Sequence, residues 1–273
     1  MNIVLCHGIF GFASFHGIDY FNGVRDHLTA NFPGLRILVT QVAPDGTIEV
    51  RGKELGRQIQ KELEPGGALD SNEPVHIIAH SMGGLDARYL LSPDNDENMA
   101  DRITSLTTIG TPHKGSPIAD LLVELGDPLN IGGENVFAQT LRTRLAGVGI
   151  EVGGLHSITT EGAGDFNARF RDNDSTKKFS VAGVGRGLKG LSTHRDTCAE
   201  LALAHRIVKE KTGEDNDGLV SLTSATWGDG PELWPADHAD EIGHDLDHGL
   251  EALPSNFDCL EKYADIVARL REG

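Results

Sequence analysis

A short apolar segment that turns directly into a helix is the feature that most constrains the fold of this chain. Val75–Ala79 is predicted to be a buried strand and Gly84–Leu91 a helix, with only four residues between them. A strand and a helix joined so tightly approach each other closely, so the flanking positions must be small, as Ala79 and Gly83 are. The hydroxyl of Ser81 then stands clear of the sheet, and the helix N-terminus favours negative charge there. The pattern predicts a nucleophile elbow centred on Ser81.

The rest of the sequence alternates between strand patterns and helix patterns. Apolar runs typical of buried strands lie at 2–6, 35–40, 75–79, 103–109 and 179–184, and apolar residues at helical spacing lie at 18–30, 48–63, 84–91 and 257–270. Such alternation predicts an α/β fold with a mostly parallel sheet flanked by helices, and 273 residues can form a single domain. A long Gly-rich interval at 113–165 separates two strands, and connections of this length are often lids or binding loops.

The charge balance restricts the possible partners. Lys and Arg number 24 and Asp and Glu number 41, so the formal net charge is −17. Because phosphate groups are bound mainly by Lys and Arg, this balance argues against nucleic acid and anionic membrane surfaces as main partners. No apolar run approaches the roughly 18 residues of a transmembrane helix, and no signal peptide is visible before the first strand. We therefore expect a protein without an integral membrane span that is cytoplasmic or secreted by a signal-less route.

The three cysteines, Cys6, Cys198 and Cys259, are too few and too scattered for a disulfide framework. Cys6 lies within a predicted core strand, where a buried and inert thiol is expected. Cys198 and Cys259 are interpreted as either a pair or two free thiols.

A serine nucleophile needs a base, and the base needs an acid that orients it. In chains with this type of elbow the acid and then the histidine follow the serine. Asp217 fits the acid, because it precedes a turn glycine and an apolar run, and His238 fits the base, within the acidic stretch 227–249. The alternatives that the spacing leaves open are Asp215 for the acid and His244 or His248 for the base.

An oxyanion hole requires two backbone N–H groups near the nucleophile. The residue after the serine, Met82, is predicted to supply one. The segment His7-Gly8-Ile9-Phe10-Gly11 follows the first strand directly, and its glycines permit unusual backbone angles. Ile9 is predicted to supply the second N–H.

Together these segments resemble a known group of proteins, the bacterial true lipases of family I, of the Pseudomonas, Burkholderia and Proteus type. The matching segments run through the whole chain in the order of that family. They are LCHGI at 5–9, EVRGKEL at 49–55, AHSMGG at 79–84, GTPHKGS at 110–116, EGAGDFN at 161–167, DGLV at 217–220 and HADE at 238–241.

The resemblance implies an α/β-hydrolase fold over residues 1–273, with a helical lid region at about 115–160, and the hydrolysis of acylglycerol esters. It supports Ser81, Asp217 and His238 as the catalytic triad and places Ile9 and Met82 in the oxyanion hole. It also matches Arg51 to an arginine that braces the oxyanion loop through hydrogen bonds, a role that suits the five donors of a guanidinium group.

The resemblance further implies a structural calcium ion beside the loop that holds the catalytic histidine. The expected ligands are the carboxylates of Asp196 and Asp240 and the backbone carbonyls of His244 and His248. The acidic stretch around His238 gives this expectation an electrostatic reason, because a hard divalent cation would neutralise carboxylates that otherwise repel each other. The alternative is a zinc site formed by the side chains of His238, His244 and His248. The disulfide of the secreted Pseudomonas members has no counterpart, since Thr223 stands near the expected cysteine.

The sequence therefore predicts a serine ester hydrolase that forms an acyl-enzyme, with a triacylglycerol lipase as the leading hypothesis and no organic cofactor. A polyester depolymerase or an intracellular carboxylesterase with the same triad is the alternative. A non-catalytic acyl-binding scaffold is the hypothesis from a different class, since a fold does not fix a function.

Overall fold

The protein forms one main sheet with helices on both faces. The computed structural model describes residues 1–9, 14–15, 18–97, 99–124, 153–185, 199–244 and 257–272. Its elements in chain order are β1 (Asn2–Cys6), β2 (Ser14–Phe15), β3 (Ile18–Asp19), α1 (Val24–Asn31), β4 (Arg36–Val39), α2 (Ile48–Glu62), β5 (Val75–His80), α3 (Gly83–Leu91), β6 (Ile103–Ile109), α4 (Pro117–Glu124), a 3-10 helix (Gly153–Ile158), α5 (Thr160–Arg169), β7 (Lys177–Gly183), α6 (Ala199–Thr212), α7 (Leu222–Ala225), β8 (Asp229–Trp234), a second 3-10 helix (Asp240–Ile242) and α8 (Cys259–Glu272).

The six strands of the main sheet lie in the order β4-β1-β5-β6-β7-β8, and every neighbouring pair is parallel. The predicted α/β-hydrolase architecture of a mostly parallel sheet flanked by helices is confirmed. In the register of β1 and β5, Cys6 pairs with Ala79, so the two strands end side by side. The segment that follows β1 and the elbow that follows β5 therefore meet at the carboxyl edge of the sheet, where such folds bind their ligands.

Alternation along the central strands explains why both faces of the sheet are covered. In β1, Ile3 and Leu5 pack with α1 and α8, whereas Val4 and Cys6 pack with α2 and α3. Successive side chains of a strand point to opposite faces, so a fully apolar strand needs a helical layer on each side. Each buried aliphatic side chain of this kind contributes about 1.5–3 kcal/mol to folding.

One prediction at the level of secondary structure was wrong, and one strand was not predicted. The helix predicted over 18–30 begins only at Val24, because Gly23 has a left-handed φ of 69° that no α-helix can continue through. The strand that was not predicted is the edge strand β8, which lies within the acidic stretch 227–249 and includes the fully buried Trp234. The strand was missed because Gly230 and Pro231 interrupt any apolar pattern.

Several predictions fall partly outside the described residues. Of the predicted lid, helix α4 and the first 3-10 helix are described, and 125–152 are not. Cys6 and Cys259 are buried free thiols, and Cys198 lies outside the described residues. Among the described helices, none is both long enough and apolar enough to cross a membrane.

Candidate active site

Ser81 occupies the strained turn that the sequence predicted. Its φ is 57°, and it is the one non-glycine residue with a positive φ in the described part of the chain. The Ser81 N–H donates to the carbonyl of Ile109 at 2.9 Å, which anchors the turn on strand β6. A side chain at Gly83 would come within 2.7 Å of the carbonyl oxygens of Cys6 and His7, so only glycine fits there. Backbone strain of this kind costs about 1–3 kcal/mol and persists where the surrounding structure enforces it.

Asp217 and His238 form a buried hydrogen-bonded pair beside the elbow. The Nδ1 atom of His238 lies 2.8 Å from Oδ2 of Asp217. The other carboxylate oxygen, Oδ1, accepts hydrogen bonds from the N–H groups of Leu219 and Val220 at 2.8 and 2.7 Å. The His238 N–H also donates to the backbone carbonyl of Asp217 at 2.9 Å. These contacts hold the carboxylate of Asp217 against Nδ1 of His238. Nε2 is therefore the ring nitrogen that can act as the base.

The alternative acid and base lie elsewhere. Asp215 is 69% exposed and pairs with Lys209 at the surface. The Nε2 atom of His244 lies 3.0 Å from the carbonyl oxygens of both Asp19 and Tyr20, so its ring is occupied away from the elbow. His248 lies outside the described residues. Of the candidates that can be compared, Asp217 and His238 are therefore the pair that the fold brings together.

The oxyanion loop is held by the buried guanidinium group of Arg51. Its Nη2 donates to the carbonyls of His7 and Gly8 at 2.9 and 3.1 Å, and its Nη1 donates to that of Ala43 at 2.8 Å. Its Nε donates to Oδ2 of Asp86 at 2.9 Å, and this ion pair is almost fully buried. Burial raises the pKa of Asp86 to about 6, an effect that the charge of Arg51 opposes. The predicted bracing role of Arg51 thus has a direct geometric basis.

A second set of buried polar side chains lies behind the pair of Asp217 and His238, and the sequence did not single it out. Oε2 of Glu241 is 3.0 Å from Nε2 of His80 and 3.5 Å from Nδ1 of His238. The hydroxyl of Tyr20 is 2.7 Å from Nδ1 of His80 and accepts a hydrogen bond from the N–H of Gly8 at 3.0 Å. The available signal was proximity in sequence, since His80 precedes Ser81 and Glu241 follows His238 by three positions.

Burial dominates the electrostatics of this second set. It raises the pKa of Glu241 well above its ordinary value, and the nearby charges of Asp217 and Asp237 add to the effect. It lowers the pKa of His80 well below its ordinary value, with His238 contributing. Both shifts favour the uncharged forms of these two side chains, because a buried charge loses its hydration.

An apolar cavity of about 310 Å³ opens beside Ser81 and His238. The side chains around it are predominantly aliphatic, and several come from the described ends of the predicted lid. They include Ile9, Ile118, Leu122, Leu155, Ile158 and Leu219. A concave apolar surface with a few polar groups at one end suits an apolar chain that carries one reactive polar group.

The predicted metal ligands are only partly described. Asp196 and His248 lie outside the described residues, and the structure places Asp240 at the start of the second 3-10 helix, two positions after His238. Within the described residues, the side chains of His80, His238 and Glu241 lie close enough together to bind a metal ion. The hydrogen bonds of His80 with Glu241 and of His238 with Asp217 already explain why these side chains are close. The zinc alternative is not supported, because the rings of His238 and His244 bind different partners.

Comparisons with known proteins show which proteins the chain is similar to. The family model of a PGAP1-like alpha/beta domain matches residues 57–146, a segment that contains the elbow. The chain is 31% identical over 290 residues to a triacylglycerol lipase of Vibrio cholerae, and the match covers 99% of this chain and 88% of that protein. It is 33% identical over 227 residues to triacylglycerol lipase 2 of Saccharomyces cerevisiae, which covers 82% of this chain and 62% of the yeast protein.

Solved structures give the same fold. The crystal structure of Staphylococcus hyicus lipase superimposes with a TM-score of 0.70 at 20% identity, covering 99% of this chain and 95% of that one. Likeness at this identity establishes the α/β-hydrolase fold, and the Vibrio relative establishes the family. The scaffold hypothesis therefore gives way to that of an enzyme, and the chain belongs to the triacylglycerol lipase family as a lipase-type ester hydrolase of the α/β-hydrolase fold.

Proposed function

We propose that this protein hydrolyses triacylglycerols through an acyl-enzyme formed on Ser81. The observation that carries the proposal is the buried hydrogen bond between Asp217 and His238, next to a strained serine at the mouth of an apolar cavity. His238 takes the proton of the Ser81 hydroxyl while the oxygen attacks the ester carbonyl, and it then returns that proton to the departing alcohol. The N–H groups of Ile9 and Met82 bind the oxyanion, and water hydrolyses the acyl-enzyme by the same route.

We also propose that residues 115–160 act as a lid and that the chain belongs with the family I lipases of the Pseudomonas type. Both described ends of this region, α4 and the first 3-10 helix, contribute apolar side chains to the cavity. A region that closes over an apolar chain excludes water from the reaction and controls access to it. The seven sequence segments shared with that family, which include the elbow and the segments of Asp217 and His238, support the kinship.

The substrate class is tested by hydrolysis of p-nitrophenyl esters from C2 to C16, with emulsified triolein measured in parallel. Because the cavity is apolar, we expect turnover of medium and long acyl chains and release of fatty acid from triolein. Hydrolysis limited to the shortest esters, with triolein untouched, would instead indicate a carboxylesterase. Preferential release of soluble products from a polyester film would indicate a polyester depolymerase.

We further propose a structural calcium ion beside the loop of His238, held by the carboxylates of Asp240 and Asp196 and the carbonyls of His244 and His248. The donors that the structure describes fit a hard cation, since a carboxylate and a carbonyl both present oxygen. The Nε2 atom of the His244 ring contacts two backbone carbonyls, which is consistent with His244 serving through its own backbone carbonyl. An ion that binds only the folded state stabilises it by about 2.7 kcal/mol at a hundredfold excess over its dissociation constant.

Chelation should therefore lower both the melting temperature and the esterase rate, and calcium should restore them better than magnesium. The rate should fall because Asp240 lies two positions after His238, so a loosened loop also displaces the base. Asp240→Ala should resemble the chelated protein, whereas Asp265→Ala, which removes an exposed carboxylate on α8, should respond to chelation like the wild type. If chelation changes neither quantity and Asp240→Ala behaves like the wild type, there is no functional calcium ion.

A further inference from the structure

His7 joins the oxyanion loop to the segment that follows β4. Its Nδ1 lies 2.8 Å from the carbonyl oxygen of Gly8, and its Nε2 lies 3.1 Å from the backbone nitrogen of Val42. The ring is only 1% exposed, so water does not compete for either contact. Two backbone groups, one an acceptor and one a donor, therefore determine which ring nitrogen donates a hydrogen bond and which accepts one.

The two contacts fix the tautomer of the ring. The N–H of Val42 can only donate, so Nε2 of His7 accepts, and the proton of the neutral imidazole resides on Nδ1. Nδ1 then donates to the Gly8 carbonyl. Burial lowers the pKa of His7 to about 4, with the charge of Arg51 contributing, so the ring is neutral at neutral pH.

The Gly8 carbonyl belongs to the peptide group that carries the N–H of Ile9. In a trans peptide the two bonds point in opposite directions, so holding the carbonyl on one side directs the N–H to the other. Arg51 binds the same carbonyl, and Ile9 lines the cavity beside Ser81. Gly8 must lack a side chain, because a Cβ atom there would lie 2.5 Å from Cβ of Ser81. A glycine rotates easily, so the orientation of this peptide has to be imposed by its partners.

We propose that His7 is a positioning residue for the oxyanion hole and that its Nδ1–H holds the Gly8–Ile9 peptide with the Ile9 N–H directed towards Ser81. The proposal rests on the proposed function, since it requires an oxyanion to form at Ser81. Its effect is confined to the transition state, because the ground-state ester carbonyl develops no full negative charge. Loss of the contact should thus lower kcat much more than it changes KM.

Two substitutions separate the two contacts of the ring. Asparagine at position 7 offers an amide N–H near the position of Nδ1, whereas glutamine offers an amide oxygen near the position of Nε2. His7→Gln therefore keeps an acceptor for Val42 and loses the donor to Gly8, and His7→Asn does the reverse. We expect His7→Gln to lower kcat by about 10- to 100-fold, somewhat less than removal of an oxyanion donor itself, with KM within about twofold of the wild type.

His7→Asn should retain most of the wild-type turnover, although it loses the hydrogen bond from the N–H of Val42. The affinity for an alkylboronic acid, whose tetrahedral adduct places a charged oxygen in the oxyanion hole, should fall with kcat across the variants. If His7 had a purely structural role, the kcat of His7→Gln would be higher than that of His7→Asn. The changes in kcat would then not follow the changes in boronate affinity. The idea is overturned if His7→Gln keeps kcat within about twofold of the wild type, or if His7→Asn is the slower of the two.

The control is His76→Gln, which replaces another buried histidine on β5 whose Nδ1 contacts Ser105, at the opposite end of the strand from the elbow. It should lower stability without changing kcat or boronate affinity. Should both His7 variants fail to fold, nitrogen-15 spectra of the wild type still decide, because they distinguish the tautomers. We expect an Nδ1-protonated neutral ring at pH 7, and an Nε2-protonated or charged ring would refute the positioning role of His7.

The spectra also separate this inference from the proposed function. A wild-type protein that hydrolyses no ester would refute the function without altering the tautomer. An active wild type with the wrong tautomer at His7 would refute the positioning role alone.

Discussion

Ser81→Ala should lower kcat for p-nitrophenyl esters by about 10⁴- to 10⁶-fold, because the substitution removes the atom that forms the acyl-enzyme. Alanine accepts the positive φ no worse than serine does, so the fold should survive with a free energy of unfolding within about 1 kcal/mol of the wild type. The matched control is Ser105→Ala, a buried serine on β6 that contacts His76 far from the elbow and should keep its turnover. More than a few per cent of wild-type turnover in Ser81→Ala, free of contaminating esterase, would refute the assignment.

The strain at the elbow gives the same position a second readout. Ser81→Gly should be as inactive as Ser81→Ala, but its free energy of unfolding should be higher than that of Ser81→Ala and of the wild type by about 1 kcal/mol. The reason is that glycine adopts a φ of this sign without the clash of a Cβ atom. Chemical denaturation of the three proteins measures this difference directly. A stabilised but inactive glycine variant would show that the positive φ at position 81 lowers stability and is retained because a serine nucleophile is needed there.

Arg51→Met should produce the largest loss of stability, about 3–5 kcal/mol, because it leaves the buried carboxylate of Asp86 without its charged partner. It should also lower kcat by about 10²- to 10³-fold, since the carbonyls of His7 and Gly8 lose a shared donor and the oxyanion loop loosens. The loss of stability should be larger at pH 8 than at pH 5. Without Arg51 the pKa of Asp86 in the folded state rises further, so falling pH neutralises the carboxylate and returns part of the stability.

Two further variants distinguish the role of Arg51 in stability from its role in the oxyanion loop. The double variant Arg51→Met with Asp86→Leu removes both buried charges and should recover much of the stability without recovering turnover. Arg88→Met is the matched control, since Arg88 is also buried but pairs with the partly exposed Asp172, away from the oxyanion loop. It should cost less stability and keep kcat within about twofold of the wild type. Full turnover in the double variant would show that Arg51 does not brace the loop.

The parts of the site that adjoin regular structure could be predicted from the sequence. The elbow was predictable because Ala79 and Gly83 reveal a strand and a helix in close approach, and the described geometry at Gly83 shows why a larger residue is excluded. The choice of Asp217 over Asp215 was only favoured by spacing. The structure gives the physical reason, which is that Asp217 binds the two N–H groups of its own turn and so aims its second oxygen at His238.

The contacts between distant segments could not be predicted. Tyr20 and His80 lie 60 positions apart, and His80 and Glu241 lie 161 apart, so no local pattern links them. The segment around Tyr20 was predicted to be helical because its apolar residues have helical spacing. The left-handed φ of Gly23 prevents a helix from running through this position, so α1 begins after it. Burial, which lowers the pKa of His80 and raises that of Glu241, is likewise a property of the folded chain alone.

Covalent labelling with an alkyl fluorophosphonate, followed by peptide mass spectrometry, tests directly whether Ser81 is the nucleophile of an ester hydrolase. A serine activated by His238 and Asp217 displaces fluoride and retains the phosphonyl group, whereas ordinary serines do not react. We expect one phosphonyl group per chain, located on the peptide that contains Ser81, with loss of esterase activity in proportion to labelling. We also expect no labelling of His238→Ala. Absence of labelling in an active enzyme, or labelling confined to another residue, would refute the assignment of Ser81.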